Sequence, residues 1–292
     1  MLQLIPEREP PVRALTSTTC LALVMMANGV FASASLPVWE LGVGAFAING
    51  QDYPASDRAN NRVLVAPFGV YRSDRFRLGE GGLQAIAVEN PRYRFDISVS
   101  GSLNANSEGN PLREGMPDLD FLFEIGPQLV VTLDRDQFAD KSESTTELAV
   151  QLRGAFSTDF GSVSSLGPVA SLALEYEREN MLDGKLDLGV EFNAVFAGED
   201  MHDLFYQVDA EFATATRPAY DAESGYLGSD ISFSGSYAMT PDIVVFSGIS
   251  WNSYKDAANE NSPLFETDST VNSWLGLLWR LRESSRRITV LR

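Results

Sequence analysis

Apolar and polar residues alternate along much of this sequence with a period of two. Between Tyr93 and Leu103 every odd position is apolar or glycine, and every even position is Arg, Asp or Ser. Successive side chains of a β-strand point to opposite faces, whereas a helix would spread the same residues around its circumference. The segment is therefore predicted to be a strand with one apolar face and one polar face.

The same pattern recurs in segments that are long for a soluble sheet. Eleven segments are recognised, near 38–48, 62–72, 75–89, 92–103, 119–134, 145–160, 164–178, 184–197, 225–239, 242–254 and 270–282. Most span about 11 to 16 residues, whereas strands of soluble proteins have about 5 to 6 and a tilted strand crosses a bilayer with about 9 to 11. Aromatic residues such as Trp39, Trp251 and Trp274 lie near segment ends, which suits the two membrane interfaces.

These segments predict a barrel that crosses a membrane. No stretch after residue 34 reaches 18 consecutive apolar residues, which excludes a spanning helix there. A closed barrel is then the remaining way to cross a bilayer with every backbone group hydrogen-bonded. The alternative is a soluble all-β protein, such as a periplasmic binding module, that buries the apolar faces in a core.

The number of strands depends on one glycine-rich turn. Single-chain bacterial barrels normally have an even number of strands. Splitting segment 75–89 at Gly79-Glu80-Gly81-Gly82 gives twelve, and merging it with 62–72 gives ten. The predicted fold class is therefore all-β, a transmembrane antiparallel up-and-down β-barrel over residues 35–282, with twelve strands preferred and ten as the alternative.

The first 34 residues have the composition of a secretory signal peptide. Arg8 and Arg13 precede an apolar run from Ala14 to Phe31, and Ala32-Ser33-Ala34 matches a signal-peptidase site. An N-terminal membrane anchor is the alternative. Export and a barrel together predict the outer membrane of a Gram-negative cell, with residues 283–292 as a periplasmic C-terminal tail.

Composition excludes several classes of function. The net charge of −18 argues against nucleic-acid binding, which needs a basic surface. The sequence contains one cysteine, Cys20, and one histidine, His202, which excludes disulfide scaffolds, Cys-rich zinc sites and Cys–His nucleophile pairs. No cofactor and no metal site are predicted. The expected surroundings are outer-membrane lipid and lipopolysaccharide.

The lengths of the connections assign the two ends of the barrel. Counting back from the last strand, which runs towards the periplasm, places 104–118, 198–224 and 255–269 outside the cell. Residues 90–91, 179–183 and 240–241 then fall inside and are short, and 135–144, also inside, is longer. Long outer loops and mostly short inner turns are typical of this class of barrel.

Two of the long outer loops contain motifs specific enough to compare with a known family. One begins Arg113-Glu114-Gly115-Met116-Pro117-Asp118, and the other contains His202-Asp203-Leu204-Phe205-Tyr206 and then Arg217-Pro218-Ala219-Tyr220-Asp221. Together with Trp39-Glu40-Leu41-Gly42-Val43-Gly44 and Ser262-Pro263-Leu264, they resemble the MltA-interacting protein (MipA/OmpV) family over about residues 36–282.

The resemblance implies an outer-membrane envelope scaffold that links a lytic murein transglycosylase to a murein (peptidoglycan) synthase. Some members are described as surface adhesins, which is one alternative, and a small-solute pore is another. One feature departs from the usual pattern of such barrels, which end on an aromatic residue of the last strand. Here Trp279-Arg280-Leu281 is followed by a tail that contains Arg286, Arg287 and Arg292.

Charged residues on the polar faces are the candidate site residues of the barrel interior. By their parity in the segments, the predicted lumen charges are Arg94, Asp96, Glu124, Arg153, Asp159, Glu175, Lys185, Asp187, Glu191 and Arg280. Charges inside a barrel must be hydrated or paired. They are expected either to seal a narrow barrel as a network or to line a pore that prefers cations, since acids predominate.

His202 is the residue to consider for catalysis or metal binding, because Asp200 and Asp203 lie beside it. A neutral imidazole next to a carboxylate can act as a general base. No Ser or Asp motif elsewhere pairs with it, so the chain is predicted not to be an enzyme. Loop 198–224 is instead expected to be ordered and to fold over the barrel mouth as a lid, with a contact surface as the alternative role.

Overall fold

Twelve antiparallel strands close into a barrel in the computed structural model, which describes residues 36–79, 82–102 and 110–289. The predicted signal peptide lies outside the described residues. The barrel strands are β2 (Trp39–Gln51), β3 (Ala59–Arg72), β4 (Phe76–Gly79), β5 (Gly82–Glu89), β6 (Tyr93–Ser102), β7 (Phe121–Gln137), β8 (Glu143–Thr158), β9 (Val163–Asn180), β10 (Leu186–Ala197), β11 (Gly225–Thr240), β12 (Ile243–Ser253) and β13 (Ser269–Glu283). Each strand pairs with its neighbours in sequence, and β13 pairs with β2 to close the barrel.

The outer face of the barrel is apolar. Trp251, Trp279 and Leu275 are each more than half exposed to the outside, and the same holds for many Leu, Val and Phe side chains of their parity. A soluble monomer rarely exposes a contiguous apolar surface of this size, whereas a band of apolar residues around a barrel is what lipid requires. The predicted class, a transmembrane up-and-down barrel, is confirmed, with twelve strands rather than ten.

The twelfth strand results from the predicted glycine turn. Gly79 pairs with Gly82 across a two-residue connection, and both have positive φ angles of 120° and 97°. L side chains rarely adopt such angles, so glycine allows the chain to reverse here. The resulting strand β4 is only four residues long.

The two ends of the barrel differ, and we call them outer and inner. The outer end carries 52–58, the described part 110–120 of loop 103–120, 159–162, 198–224 and 254–268. The inner end carries 73–75, 90–92, 138–142, 181–185 and 241–242. The predicted long inner loop 135–144 is shorter than expected, because β7 and β8 continue to Gln137 and from Glu143.

The first and the last described residues of the chain meet at the inner end. Leu36–Pro37 (β1) pairs with Arg287–Ile288 (β14), and the Val38 amide donates to the Arg286 carbonyl at 3.0 Å. The predicted boundary of the tail therefore shifts, because Glu283 still belongs to β13. Residues 284–289 fold back onto residues 36–39, and 290–292 lie outside the described residues.

In the part of the chain that the structure describes, no helix is long and apolar enough to cross a membrane.

Candidate functional site: the barrel mouth and the lumen

A helix from the longest loop lies across the outer end of the barrel. The loop helix Glu199–Tyr206 begins after Gly198, and Glu199 and Asp200 in its first turn suit the positive end of the helix dipole. Its buried residues Met201, His202, Phe205 and Tyr206 recur at helical spacing and share one face. The helix therefore turns an apolar face towards the barrel and a charged face away from it.

This face packs into a buried cluster that we call the mouth core. Its members come from four loops of the outer end and from the outer ends of strands β8 to β11: Tyr53, Ala55, Leu119, Ala155, Leu166, Val169, Ala197, Met201, Phe205, Tyr206, Ala222, Leu227, Tyr254 and Ala257. Tyr206 at its centre is 0% exposed and donates its hydroxyl to the Pro54 carbonyl at 3.1 Å. The outer mouth is thus filled by side chains that pack as in the core of a soluble protein.

His202 is fully buried, and both of its ring nitrogens have partners. The Asn259 amide lies 2.8 Å from Nδ1, and the Gly225 carbonyl lies 3.3 Å from Nε2. A carbonyl can only accept, so Nε2 carries the proton and Nδ1 accepts from the Asn259 amide. Burial lowers the pKa of His202, and the bond to Gly225 opposes this effect. The residue is a neutral structural link between loops.

Asn259 joins three loop segments and was not among the predicted residues. Its Nδ2 donates to His202 and to the Glu223 carbonyl at 2.8 Å, and its Oδ1 accepts from the Tyr220 hydroxyl at 3.1 Å and the Glu223 amide at 2.9 Å. Ser262 adds a second link by donating to the Tyr206 carbonyl at 2.8 Å. Loop 254–268 is therefore fastened to loop 198–224 by side chains whose hydrogen-bonding groups are satisfied.

Two arginines of the predicted motifs tie the loops together through backbone carbonyls. The Arg113 guanidinium lies within 3.3–3.4 Å of the carbonyls of Leu204, Phe205 and Pro117, and 5.6 Å from the centre of the Tyr53 ring. Burial lowers the pKa of Arg113. Arg113 thereby connects loop 103–120 with the end of the loop helix and with loop 52–58.

Arg217 makes the reciprocal connection. Its guanidinium donates to the carbonyls of Phe212, Leu112 and Glu114, so it links loop 198–224 back to loop 103–120. Five donors in a planar fork suit an arginine to binding several carbonyls at once.

The other motif residues occupy the surface and the turns around this core. Gly115 has a φ of 81°, which favours glycine, and Met116 is half-buried. Burial and the nearby carboxylates of Glu199 and Asp200 raise the pKa of Asp203. The remaining motif residues are exposed: Glu114, Pro117, Asp118, Pro218 and Asp221.

Below the mouth core the lumen contains arginine–carboxylate pairs. Glu40, fully buried, lies 2.5 Å from Arg72 and 3.2 Å from Arg280, which joins β2, β3 and β13 near the inner end. Further pairs link Arg77 to Glu89, Arg94 to Asp96 and Arg153 to Glu124, at 2.6, 2.9 and 3.6 Å. Arg153 also donates to Ser98, Ser100 and Gln128.

A row of carboxylates crosses strands β8, β9 and β10. In the strand register, Glu147 of β8 lies directly opposite Glu175 of β9, and Glu175 lies opposite Glu191 of β10. The three side chains therefore stand side by side. Within the described residues, no ion pair to an arginine or lysine is found for these three. The lumen thus has one wall of paired charges and one acidic wall.

A third part of the lumen wall is aromatic, which the sequence analysis did not predict. The aromatic wall consists of the buried Phe46, Phe246 and Leu278 with the half-buried Phe68 and Trp274. A Cβ at Gly276 would overlap the Phe246 ring, and one at Gly248 would overlap Trp274. Glycine on the adjacent strand therefore leaves room for each of these rings to lie flat against the barrel wall.

Comparison with known proteins identifies the family. Residues 42–281 match the family model described as MltA-interacting protein MipA. The chain belongs to this family. No curated protein matches it. Among solved structures it is similar to the NanC porin, with 10% identity over 82% of this chain and 100% of that chain and a TM-score of 0.39.

Two further solved structures are similar to this MipA-family barrel. An active-site mutant of outer membrane phospholipase A from Escherichia coli is 11% identical over 88% of this chain and 95% of that chain, with a TM-score of 0.32. OmpT of Vibrio cholerae is 9% identical over 83% of this chain and 98% of that chain, with a TM-score of 0.28. Likenesses of this size carry no information on function.

The predicted lumen charges of the MipA-family chain divide into two groups. The structure places Arg94, Asp96, Glu124, Arg153, Glu175, Asp187, Glu191 and Arg280 at inward positions of the strands. Asp159 was predicted to face the lumen and does not: it lies in the exposed turn 159–162, where it accepts from the Gly161 and Ser162 amides at 2.8 and 2.7 Å. Lys185 likewise lies exposed in the turn before β10.

Proposed function

We propose that this MipA-family barrel is an outer-membrane anchor that binds a murein lytic transglycosylase on its periplasmic side and holds it near a murein synthase. The family name supports the first partner, since it describes an MltA-interacting protein. The apolar outer face supports the location, because such a band suits a bilayer.

The observation that carries this proposal is the mouth core. Tyr206 and its neighbours fill the outer opening with packed, hydrogen-bonded side chains. A barrel closed in this way is suited to presenting surfaces rather than to passing solutes from end to end. Its function then depends on what lies outside the lumen.

The inner end offers a protruding surface for the periplasmic partner. Residues 132–137 of β7 continue beyond Val131, the last β7 residue in the strand ladder with β6, and extend by about 20 Å at about 3.3 Å per residue. At the tip, the Arg178 guanidinium stacks over the Phe138 ring at 3.9 Å and bonds to Ser142. Bonds from the Ser142 hydroxyl and amide lower the pKa of Asp140. The tip is therefore an ordered, charged projection.

A binding assay with purified components tests this assignment. The detergent-solubilised barrel is immobilised and a purified MltA-type transglycosylase is passed over it. We expect the double variant Phe138→Ala/Lys141→Glu to bind at least tenfold more weakly, while Asp74→Lys, on a different inner turn, binds as the wild type does. Absence of binding by the wild type, or equal binding by both variants, would contradict the proposal.

The acidic wall favours a second candidate, a small-solute pore that prefers cations. The carboxylates of Glu147, Glu175 and Glu191 face the lumen side by side, and such a row would attract cations. In planar bilayers without any partner, this candidate predicts a cation-selective conductance that Glu175→Gln/Glu191→Gln reduces. A silent wild-type barrel excludes it.

We further propose that the protein is not an enzyme. The support is His202, whose ring is buried with Nδ1 and Nε2 both engaged, so it is not placed to act as a base or a metal ligand. Ester and phospholipid hydrolysis by the purified barrel should equal that of His202→Gln. A rate that depends on His202 would overturn this proposal.

A further inference from the structure

Small residues line one part of the lumen wall, on strands β10, β11 and β12. In the strand register Gly189 of β10 lies opposite Ser234 of β11, and Ser234 lies opposite Gly248 of β12. Phe233 and Ile249, which follow the other parity, are exposed on the lipid-facing side, so these three positions face the lumen. Three small residues side by side leave a depression in the wall, which we call the trough.

Larger side chains border the trough on both sides. Trp274 of β13 lies opposite Gly248, and Glu177 of β9 lies opposite Gly189. Neighbouring strands are about 4.8 Å apart, so the four steps from Glu177 to Trp274 span about 19 Å along the wall. The trough between these two side chains therefore has the width of a small molecule of one or two rings.

The Trp274 ring forms a platform at the edge of the trough. A Cβ at Gly248 would overlap the Cζ2 and Cε2 atoms of the indole, so the ring lies against the backbone of Gly248. One face of the ring therefore rests on the wall and the other is turned to the lumen. Trp274 is only half-buried, which leaves part of the indole accessible to a ligand.

Hydrogen-bonding groups form the row next to the trough on its outer side. Glu191 lies opposite Ser232, Ser232 opposite Ser250, and Ser250 opposite Asn272. Ser234 in the trough is exposed although it faces the lumen, so solvent reaches this part of the barrel interior. The trough thus combines an aromatic face with hydroxyl, amide and carboxylate groups around it.

We propose that the trough binds a neutral saccharide, which stacks one face of a pyranose ring on Trp274 and hydrogen-bonds through its hydroxyls to Ser234 and Glu191. The mouth core fills the outer end, so the ligand enters from the inner end. This site is separate from the tip of β7 and β8 at the inner end, and the anchor function does not depend on it.

The chemistry of the trough matches the two parts of a sugar surface. The C–H groups on one face of a pyranose are apolar and pack on an aromatic ring, while the hydroxyls around its rim need donors and acceptors. A serine hydroxyl can both donate and accept, and a carboxylate can accept from two neighbouring hydroxyls. Glu177 and Glu191 disfavour an anionic sugar by charge repulsion.

Calorimetric titration of the solubilised barrel tests the site. The detergent is lauryldimethylamine oxide, which contains no sugar headgroup that could compete. Maltotriose and N,N′-diacetylchitobiose are the neutral probes, and digalacturonate is the anionic probe. We expect at least one neutral probe to bind, and digalacturonate to bind at least tenfold more weakly than that probe. Binding of neither neutral probe, or equal binding of digalacturonate, overturns the proposal.

Two matched pairs of variants locate the binding. Trp274→Leu should weaken binding of the neutral probe at least tenfold, while Trp251→Leu, a lipid-facing tryptophan of β12, should bind as the wild type does. Ser234→Phe, which fills the trough, should abolish binding, while Ser247→Phe on the lipid-facing side of β12 should not. Equal binding within either pair overturns the proposal. If Trp274→Leu lacks the change in gel mobility on heating that a folded barrel gives, the serine pair still decides.

Discussion

The mouth and the lumen of this barrel are filled by different kinds of interaction. The mouth core consists of apolar side chains, and hydrogen bonds of uncharged side chains such as Tyr206 and Asn259 join the loops around it. The lumen near the inner end depends on buried ion pairs such as Glu40 with Arg72. Apolar packing is stabilising by itself, whereas a buried ion pair offsets its own desolvation only when both partners are present. The two regions should therefore fail in different ways.

Truncation of Tyr206 should have the largest effect and should be confined to the mouth. Removing a fully buried aromatic side chain costs about 3–5 kcal/mol. We expect Tyr206→Ala to release loop 198–224, which is seen as rapid cleavage by an added protease. The strands should stay folded, which is seen as the change in gel mobility on heating that a folded barrel gives. Tyr206→Phe, which loses only the bond to Pro54, should be cleaved much more slowly. Unfolding of the strands together with the loop would show that the two regions are one unit.

Breaking the ion-pair network should instead destabilise the strands. Glu40→Leu removes the carboxylate that Arg72 and Arg280 share. Arg72 keeps its bond to the Pro37 carbonyl and Arg280 keeps Asp242 and Glu283, so the cost is expected at about 3 kcal/mol. Urea unfolding of the barrel in detergent measures it, and Glu283→Gln, at the partly exposed edge of the network, serves as the control. Protection of loop 198–224 from protease should be unchanged below the unfolding transition. A loss of that protection in Glu40→Leu would contradict the separation of the two regions.

Substitution of Arg217 probes the bonds that hold the mouth loops to one another. Arg217→Lys keeps the charge but cannot reach the carbonyls of Phe212, Leu112 and Glu114 together, and carbonyls left unsatisfied cost about 2 kcal/mol. Hydrogen exchange at 110–119 and 208–217 should increase. Arg58→Lys, an exposed arginine of loop 52–58, should leave exchange unchanged. Equal exchange in the two variants would mean that apolar packing alone closes the mouth.

The sequence predicted the strands well because alternation depends only on residue type and neighbours. From Tyr93 to Val99 the apolar parity faces lipid and Arg94 and Asp96 face the lumen, as the pattern indicates. Parity stops being informative where a strand ends. Asp159 follows Thr158, the last residue of β8, so its position in the alternating pattern no longer assigns it to a face.

The mouth was harder to predict, because its contacts join residues far apart in sequence. Asn259 and His202 are separated by 57 positions, and no local pattern links them. The motifs around Arg113 and Arg217 stand out in the sequence, but the partners of these arginines do not. Both bind backbone carbonyls, which every residue has, so the sequence does not mark which residues they contact. The aromatic wall was missed because inward positions were expected to be polar. The available signal was that the segments containing Phe46 and Phe246 are apolar on both faces, which indicates that their inward face is apolar too.

The smallest expected effect is the pH dependence of the mouth. Since burial lowers the pKa of His202, the closed mouth keeps the ring neutral while an open loop binds a proton below about pH 6.5. This contribution to closure is complete above that pH and decreases as the pH falls, by at most about 1.4 kcal/mol per pH unit for one proton. Asp203 and Glu266 act in the opposite direction, because burial raises their pKa values.

The His202 contribution is therefore measured as a difference between two proteins. Hydrogen exchange of loop 198–224 is compared at pH 7.5 and pH 5 in the wild type and in His202→Gln, whose amide can also donate to Gly225 and accept from Asn259 without titrating. We expect acid to increase exchange more in the wild type than in the variant. The same increase in both proteins would assign the pH response to the carboxylates. His202, the neutral link between loops 198–224 and 254–268, would then have no role in that response.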